Sequence, residues 1–261
     1  GQKGDLADLP TLSTYSTAET LLSTNDVKGL SNCRWIVSGT VEAVDRLDLS
    51  LSNGAAIEIA NTGHWHQRGG GTIRRNVSGD GGILILGTMR MTSSGELTVE
   101  PPLTCEGTLD LAGPSALVTK GDFLLAENGV LVGGGAADLG LNVRLSLSFT
   151  GTSVLAGTVN PVHDGGAGRL GILGPVTLAP TLRIEIDIPV TGDIPNDRVE
   201  FSSVGPVLDG TLDLNLFTLP DPGAEFRVVS TSGATGAFAE IKGAEAFDQV
   251  IANGDGVLLI R

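Results

Sequence analysis

Short alternations of apolar and polar residues, broken by turn formers, run through most of the chain. Between 31 and 160 they include Arg34–Val41, Leu47–Leu51, Ala56–Ala60, Ile83–Leu86 and Met89–Met91. Glu96–Glu100, Gly107–Leu111, Asp122–Leu125 and Gly129–Val132 continue the series. A period of two residues is the signature of a strand with one buried face, and Gly, Asn, Asp and Ser between runs mark turns. No 3.6-residue period is sustained anywhere. A turn-rich junction, Asn160-Pro161-Val162-His163-Asp164-Gly165-Gly166-Ala167-Gly168, precedes longer runs. These are Leu170–Leu178, Leu182–Ile188, Val199–Phe201, Thr211–Phe217, Phe226–Ser230 and Phe238–Ile241. In Leu182–Ile188 the residues Leu182, Ile184, Ile186 and Ile188 share one face, and Arg183, Glu185 and Asp187 share the other.

Residues 1–30 break the pattern, being rich in Ser, Thr, Asp and Leu. Ser16 and Glu19 stand at capping-box spacing, which predicts a short helix over Ser16–Leu22. The segment is read as an N-terminal arm or cap, which would either cover the first coil or dock on a neighbouring subunit. Residues 31–160 are read as β-solenoid coils and 161–261 as a C-terminal solenoid module.

Composition sharpens the fold class. Gly accounts for 38 of 261 residues and aromatics for only 4%, so the apolar 41% is mainly Leu, Val, Ile and Ala. A wide sandwich core leans on aromatics. A stack of thin coils fills its narrow interior with aliphatic ladders and turns its corners on Gly. The expected fold is all-β, a right-handed parallel β-helix (β-solenoid) with an N-terminal arm or cap. A β-sandwich or jelly roll is the alternative, followed by a barrel or two separate β-domains.

The stretch from 163 to 241 adds a resemblance. It supplies Gly168-Arg169-Leu170, then Leu182–Ile188, then Asp197-Arg198-Val199-Glu200-Phe201. Leu208-Asp209-Gly210-Thr211-Leu212-Asp213-Leu214-Asn215-Leu216 follows, then Gly223-Ala224-Glu225-Phe226-Arg227-Val228-Val229 and Gly236-Ala237-Phe238. In order and spacing these words resemble the C-terminal β-solenoid module of autotransporter passenger domains and of similar repeat-rich, exported bacterial surface proteins. The resemblance implies a right-handed solenoid, a surface or secreted location, and a scaffold or adhesive role without catalytic residues.

Charge narrows the partners. A net charge of −14 repels nucleic acid and anionic membranes. No run of 18 apolar residues is present to span a membrane. The chain begins at Gly1 without Met, from which a processed, exported product is expected. Cys33 and Cys105 lie 105 − 33 = 72 residues apart. With coils of about 20–25 residues that is about three coils, too far for a disulfide, so two free buried thiols are expected.

Candidate chemistry is sparse. His64 and His66 project from one face of a strand around Trp65 and could share a metal, but lack a third ligand at ligand spacing. Gly133-Gly134-Gly135-Ala136-Ala137-Asp138-Leu139-Gly140-Leu141 partly matches a calcium nonapeptide, departing at Ala136 and Gly140 with no tandem copy. Asn253-Gly254-Asp255-Gly256 reads as a tight turn, and Asp193 and Asp197 flank Pro195 in another. None of the three His has a Ser or Cys partner recognisable in sequence, and no Gly-x-Ser-x-Gly elbow occurs. No catalytic, cofactor-binding or metal residue is therefore assigned; calcium is the one cofactor with any support. The expected function is an extracellular structural or adhesive surface protein that self-assembles into a filament, sheath or surface layer. Its expected partners are copies of itself and cell-surface glycan. The alternatives are a polysaccharide-active β-helix enzyme and a viral tail fibre or spike subunit.

Overall fold

The computed structural model describes the chain except for residues 1–10, 15–18, 23–27, 77–80, 93–94, 113–115, 134–144, 162–167, 189–195 and 217. The described residues form a parallel β-solenoid. Through most of the chain each coil gives one strand to each of three sheets, here the first, second and third in chain order; in the last coils Val207–Leu208 and Thr235–Gly236 pair as a separate two-stranded sheet instead of continuing the first. The three main sheets hold 8, 10 and 11 strands. The coil beginning at Arg34–Val37 continues through Thr40–Ala43 to Leu47–Ser52, and the next begins at Ala56–Ile59. Neighbouring strands within a sheet are parallel until the C-terminal end.

Alternation becomes ladders. In the first sheet Val37, Ile59, Ile85, Cys105, Leu125, Leu155 and Leu178 lie one above another, all buried. In the second sheet Val41, Trp65, Met89, Leu109, Leu131, Val159, Ile184 and Leu212 do the same. Aromatic residues are used sparingly: Trp35 and Trp65 meet edge-on across two sheets, with ring centroids 5.5 Å apart. The interstices among Ile57, Ile59, Trp65, Ile73, Ile83 and Met89 are too small to hold a water. The interior is therefore packed core and encloses no binding cavity at this level.

The corner between first and second sheets explains much of the glycine. A Cβ on Gly87 would lie 2.2 Å from the Ala60 carbonyl oxygen, and one on Gly107 would lie 2.2 Å from that of Gly87. The carbonyls of these corners accept the next coil's first strand amide, as from Thr88 to Gly63 (3.0 Å) and from Thr108 to Gly87 (2.8 Å). Close backbone stacking leaves no room for a side chain.

Coil length varies more than the sequence implied. Leu103 pairs with Phe123, a step of 123 − 103 = 20, whereas Leu117 pairs with Leu147, a step of 147 − 117 = 30. The extra residues fall between second-sheet and third-sheet strands, as between Val130–Gly133 and Leu145–Phe149. The first thirty residues also depart from expectation. Glu19–Leu22 is a strand paired with Thr40–Ala43, not part of a helix, because a parallel neighbour satisfies its backbone. Thr11–Thr14 and Lys28–Ser31 likewise join the first and third sheets. The described part of this segment is thus a solenoid coil; residues 1–10 lie outside the described residues.

The last strands pair differently. After Glu240–Lys242, a 3-10 turn at Ala244–Ala246 leads into a hairpin of Gln249–Asn253 and Gly256–Ile260. The hairpin ends the third sheet with antiparallel pairing onto Glu225–Ser232. Its turn is the expected Asn253-Gly254-Asp255-Gly256, in which Asn253 Oδ1 accepts the Asp255 amide at 2.8 Å. Phe247 is buried beside Phe226, with ring centroids 6.1 Å apart.

Candidate functional site: the outer faces of the solenoid

Inward positions are committed to the ladders, so any chemistry must sit on the outer columns. The second sheet carries a polar one. Glu42, His66, Arg90 and Asp110 are successive partners in register. Glu42 Oε1 lies 3.1 Å from His66 Nδ1, and Thr92 Oγ1 lies 2.8 Å from His66 Nε2. Arg68 Nε takes the other Glu42 oxygen at 2.9 Å, and Arg90 Nε reaches Asp110 at 3.3 Å. Farther along, Arg183 Nε donates to Asp213 at 2.9 Å, an interaction that raises the arginine pKa further.

Hydroxyl, imidazole and carboxylate therefore stand in line. Such a chain can pass a proton from Thr92 to His66 while Glu42 holds the ring orientation. The sequence shows no Ser or Cys partner for any His, and Thr92, 26 residues from His66, comes beside it only by coil stacking. Geometrically, the group occupies the outer face of a sheet. His64 shares that face but is exposed, and no cluster of three or more His, Cys, Asp or Glu suited to a metal occurs among the described residues.

The acidic turn is also explained in part. Asp193 lies outside the described residues, as do residues 134–141 of the nonapeptide-like stretch; Gly133 ends a second-sheet strand. Asp197 is buried, and its carboxylate oxygens accept the amides of Gly168 (2.8 Å) and Asp187 (2.9 Å). Both oxygens are thus engaged in fastening three segments of backbone. Burial pushes its pKa up to about 7, against the opposing pull of those two amides. Cys33 and Cys105 are both free, and the strands they precede or occupy are three steps apart in the first sheet. Cys105 is buried in its ladder, which raises its thiol pKa to about 12; Cys33 is only half-buried at a corner.

The first sheet presents the opposite surface. Its outer column runs Ser13, Ile36, Glu58, Leu84, Thr104, Leu124, Val154 and Thr177. Four of these eight are aliphatic, and the lone charge, Glu58, is paired with Arg34. Leu124 is 39% exposed, and Val207, three coils farther on in a separate two-stranded sheet, is 60% exposed. A shallow recess beside this face is lined by Asp122, Thr150, Thr152, Pro175 and Thr177, among others.

No protein-family model matches the chain, and neither the curated proteins nor the solved structures contain a match.

Proposed function

We propose that this chain is an extracellular structural protein of a cell surface, a scaffold that assembles with copies of itself. One observation carries this reading. The described chain is spent almost wholly on stacked coils with a closed aliphatic interior, and such a rod offers its outer faces, not a cleft, to its surroundings. Its acidity supports life in an aqueous exterior, and the autotransporter-like order of words over 163–241 supports export. No helix among the described residues is long and apolar enough to cross a membrane. A glycan-adhesive role belongs to the same reading, with the recess at Asp122 and Thr152 as the polar patch that would be probed first.

The test is light scattering with electron microscopy on the purified chain over a wide concentration range. Concentration-dependent assemblies are expected; a strict monomer at every concentration overturns the scaffold reading. Proteolysis of intact source cells tests location: loss of the chain supports surface exposure, and full protection refutes it.

A second reading, hydrolysis on a β-helix, has the Thr92–His66–Glu42 chain in its favour. Thr92 Oγ1 would attack an ester carbonyl and pass its proton to His66. The leaving alcohol would take that proton, and water would then release the acyl group. Turnover of p-nitrophenyl acetate that disappears in His66→Asn supports it; equal rates in both proteins remove it.

A further inference from the structure

Resting on the scaffold reading, we infer that the chain associates side by side through the outer face of the first sheet, and that the occupant of that face is the same face of a second copy. Charge is the first argument. At −14, two copies repel wherever their acidic groups approach. The second sheet places Glu42, Asp110, Glu185 and Asp213 on its outside, and the third places Glu200 and Glu100 there. All of these carboxylates are held in ion pairs, and covering a face that presents them means desolvating every pair. The first sheet's column carries a single pair, Glu58 with Arg34, so among the three outer columns it has the fewest charged groups to desolvate, with the exposed Glu106, Asp122 and Glu127 left at its margin.

Shape is the second argument. Ile36, Leu84 and Leu124 stand two coils apart, with Glu58 and Thr104 between them, and Val154 follows Leu124 directly, so a second copy presents aliphatic residues at the same intervals. Self-complementarity of this kind closes as a two-fold pair.

Area sets the strength. Eight strands at a spacing of ~4.8 Å, each mostly three or four residues at ~3.3 Å, give a footprint on the order of 400 Å² per copy. That is about 800 Å² for the pair, below the roughly 1,200–2,000 Å² of stable complexes, so the pair is weak and concentration-dependent.

Sedimentation equilibrium on the full chain tests this with three variants: Leu124→Glu, Leu124→Lys and Val132→Glu. The last puts the same carboxylate on the outer column of the second sheet. Circular dichroism checks that each is folded. Leu124→Glu is expected to weaken self-association by about a hundredfold, since like charges brought together at a contact are strongly unfavourable. Val132→Glu should leave it near wild type, and mixing the L124E chain with the L124K chain should restore pairing. Association that survives Leu124→Glu unchanged overturns the face while leaving the scaffold reading standing. A wild-type chain that never associates overturns the scaffold reading itself, and this inference with it.

Discussion

The first and second sheets share one backbone plan and differ in what they show the solvent. Inside, both are aliphatic ladders: Ile59, Ile85 and Leu125 in one, Met89, Leu109 and Leu131 in the other. Outside, one column carries Ile36, Leu84, Leu124 and Val154 among Glu58, Thr104 and Thr177, while the other carries Glu42, His66, Arg90 and Asp110 before reaching Val132. Stacking dictates the inner residues because every coil must bury them against the next. The outer residues are released from that constraint, so a difference between outer columns reports what each face meets. An ion-paired column is content in water; an aliphatic one is better covered.

The largest expected effect breaks the symmetry of inside and outside. Leu109→Asp puts a carboxylate among fully buried neighbours and should unfold the chain or cost more than about 4 kcal/mol. Leu124→Asp, outward in the first sheet, should change stability by only about 0.5 kcal/mol. Urea unfolding followed by circular dichroism measures both. Comparable losses would mean that the inner and outer columns are assigned wrongly.

A corner change comes next. Gly107→Ala forces a Cβ to within 2.2–2.5 Å of three backbone atoms of the coil below. Backbone cannot give way as a side-chain end can, so a loss of roughly 2–4 kcal/mol is expected. Gly29→Ala, where a Cβ meets nothing within 4 Å, is the control and should be near neutral. Equal effects at the two sites would sink the stacked-corner account of the glycine content.

Much of this was legible beforehand, and the reason for the remainder is physical. Strands such as Thr88–Met91 and Glu96–Val99 alternate cleanly, so their inner faces could be read directly. Ile83–Ile85 and Phe123–Leu125 are apolar at every position, and Arg34–Val37 at all but the first. Parity there is ambiguous in sequence. That same lack of alternation was the trace of an aliphatic outer face, recognisable once register assigned Leu84 and Leu124 outward. The Thr92–His66–Glu42 chain was not legible at all. Its members come from three coils, and coil steps of 20 to 30 residues depend on loop lengths that periodicity does not encode. The mistaken helix over Ser16–Leu22 has a similar origin: a local capping pattern was overridden by a parallel neighbour 21 residues away, as Glu19 pairs with Thr40.

A third prediction concerns pH. The buried Asp197 has its pKa raised to about 7, above the ordinary 3.8, with burial the main cause. The folded chain therefore holds this proton more tightly than the unfolded one. The stability it contributes is fully present below pH about 3.8 and is lost as pH rises through about 7. Urea unfolding at pH 5 and at pH 8 should show the chain less stable at the higher pH, by roughly 1–4 kcal/mol. Asp197→Asn removes the titration and should flatten this part of the profile, while losing one acceptor for the Gly168 or Asp187 amide. A variant that keeps the wild-type slope would show that the proton resides elsewhere.

Salt gives the smallest and most direct contrast between the two faces. The ion pairs of the second sheet are partly exposed: Arg68 at 52% and Arg90 at 46% of side-chain surface. Exposed pairs contribute about 0–1 kcal/mol each, and raising ionic strength from about 0.05 to 0.5 M shortens the screening length severalfold. Stability should therefore drop by only about a few tenths of a kcal/mol through this column. Association through the first sheet should move the other way. Its contact is aliphatic, which salt does not weaken, while the long-range repulsion between two chains of charge −14 is screened. Sedimentation at the two salt concentrations should show equal or tighter pairing at the higher one. Pairing that dissolves in salt would mean that the copies meet through charged columns, and the aliphatic face would then have to be explained by some other cover.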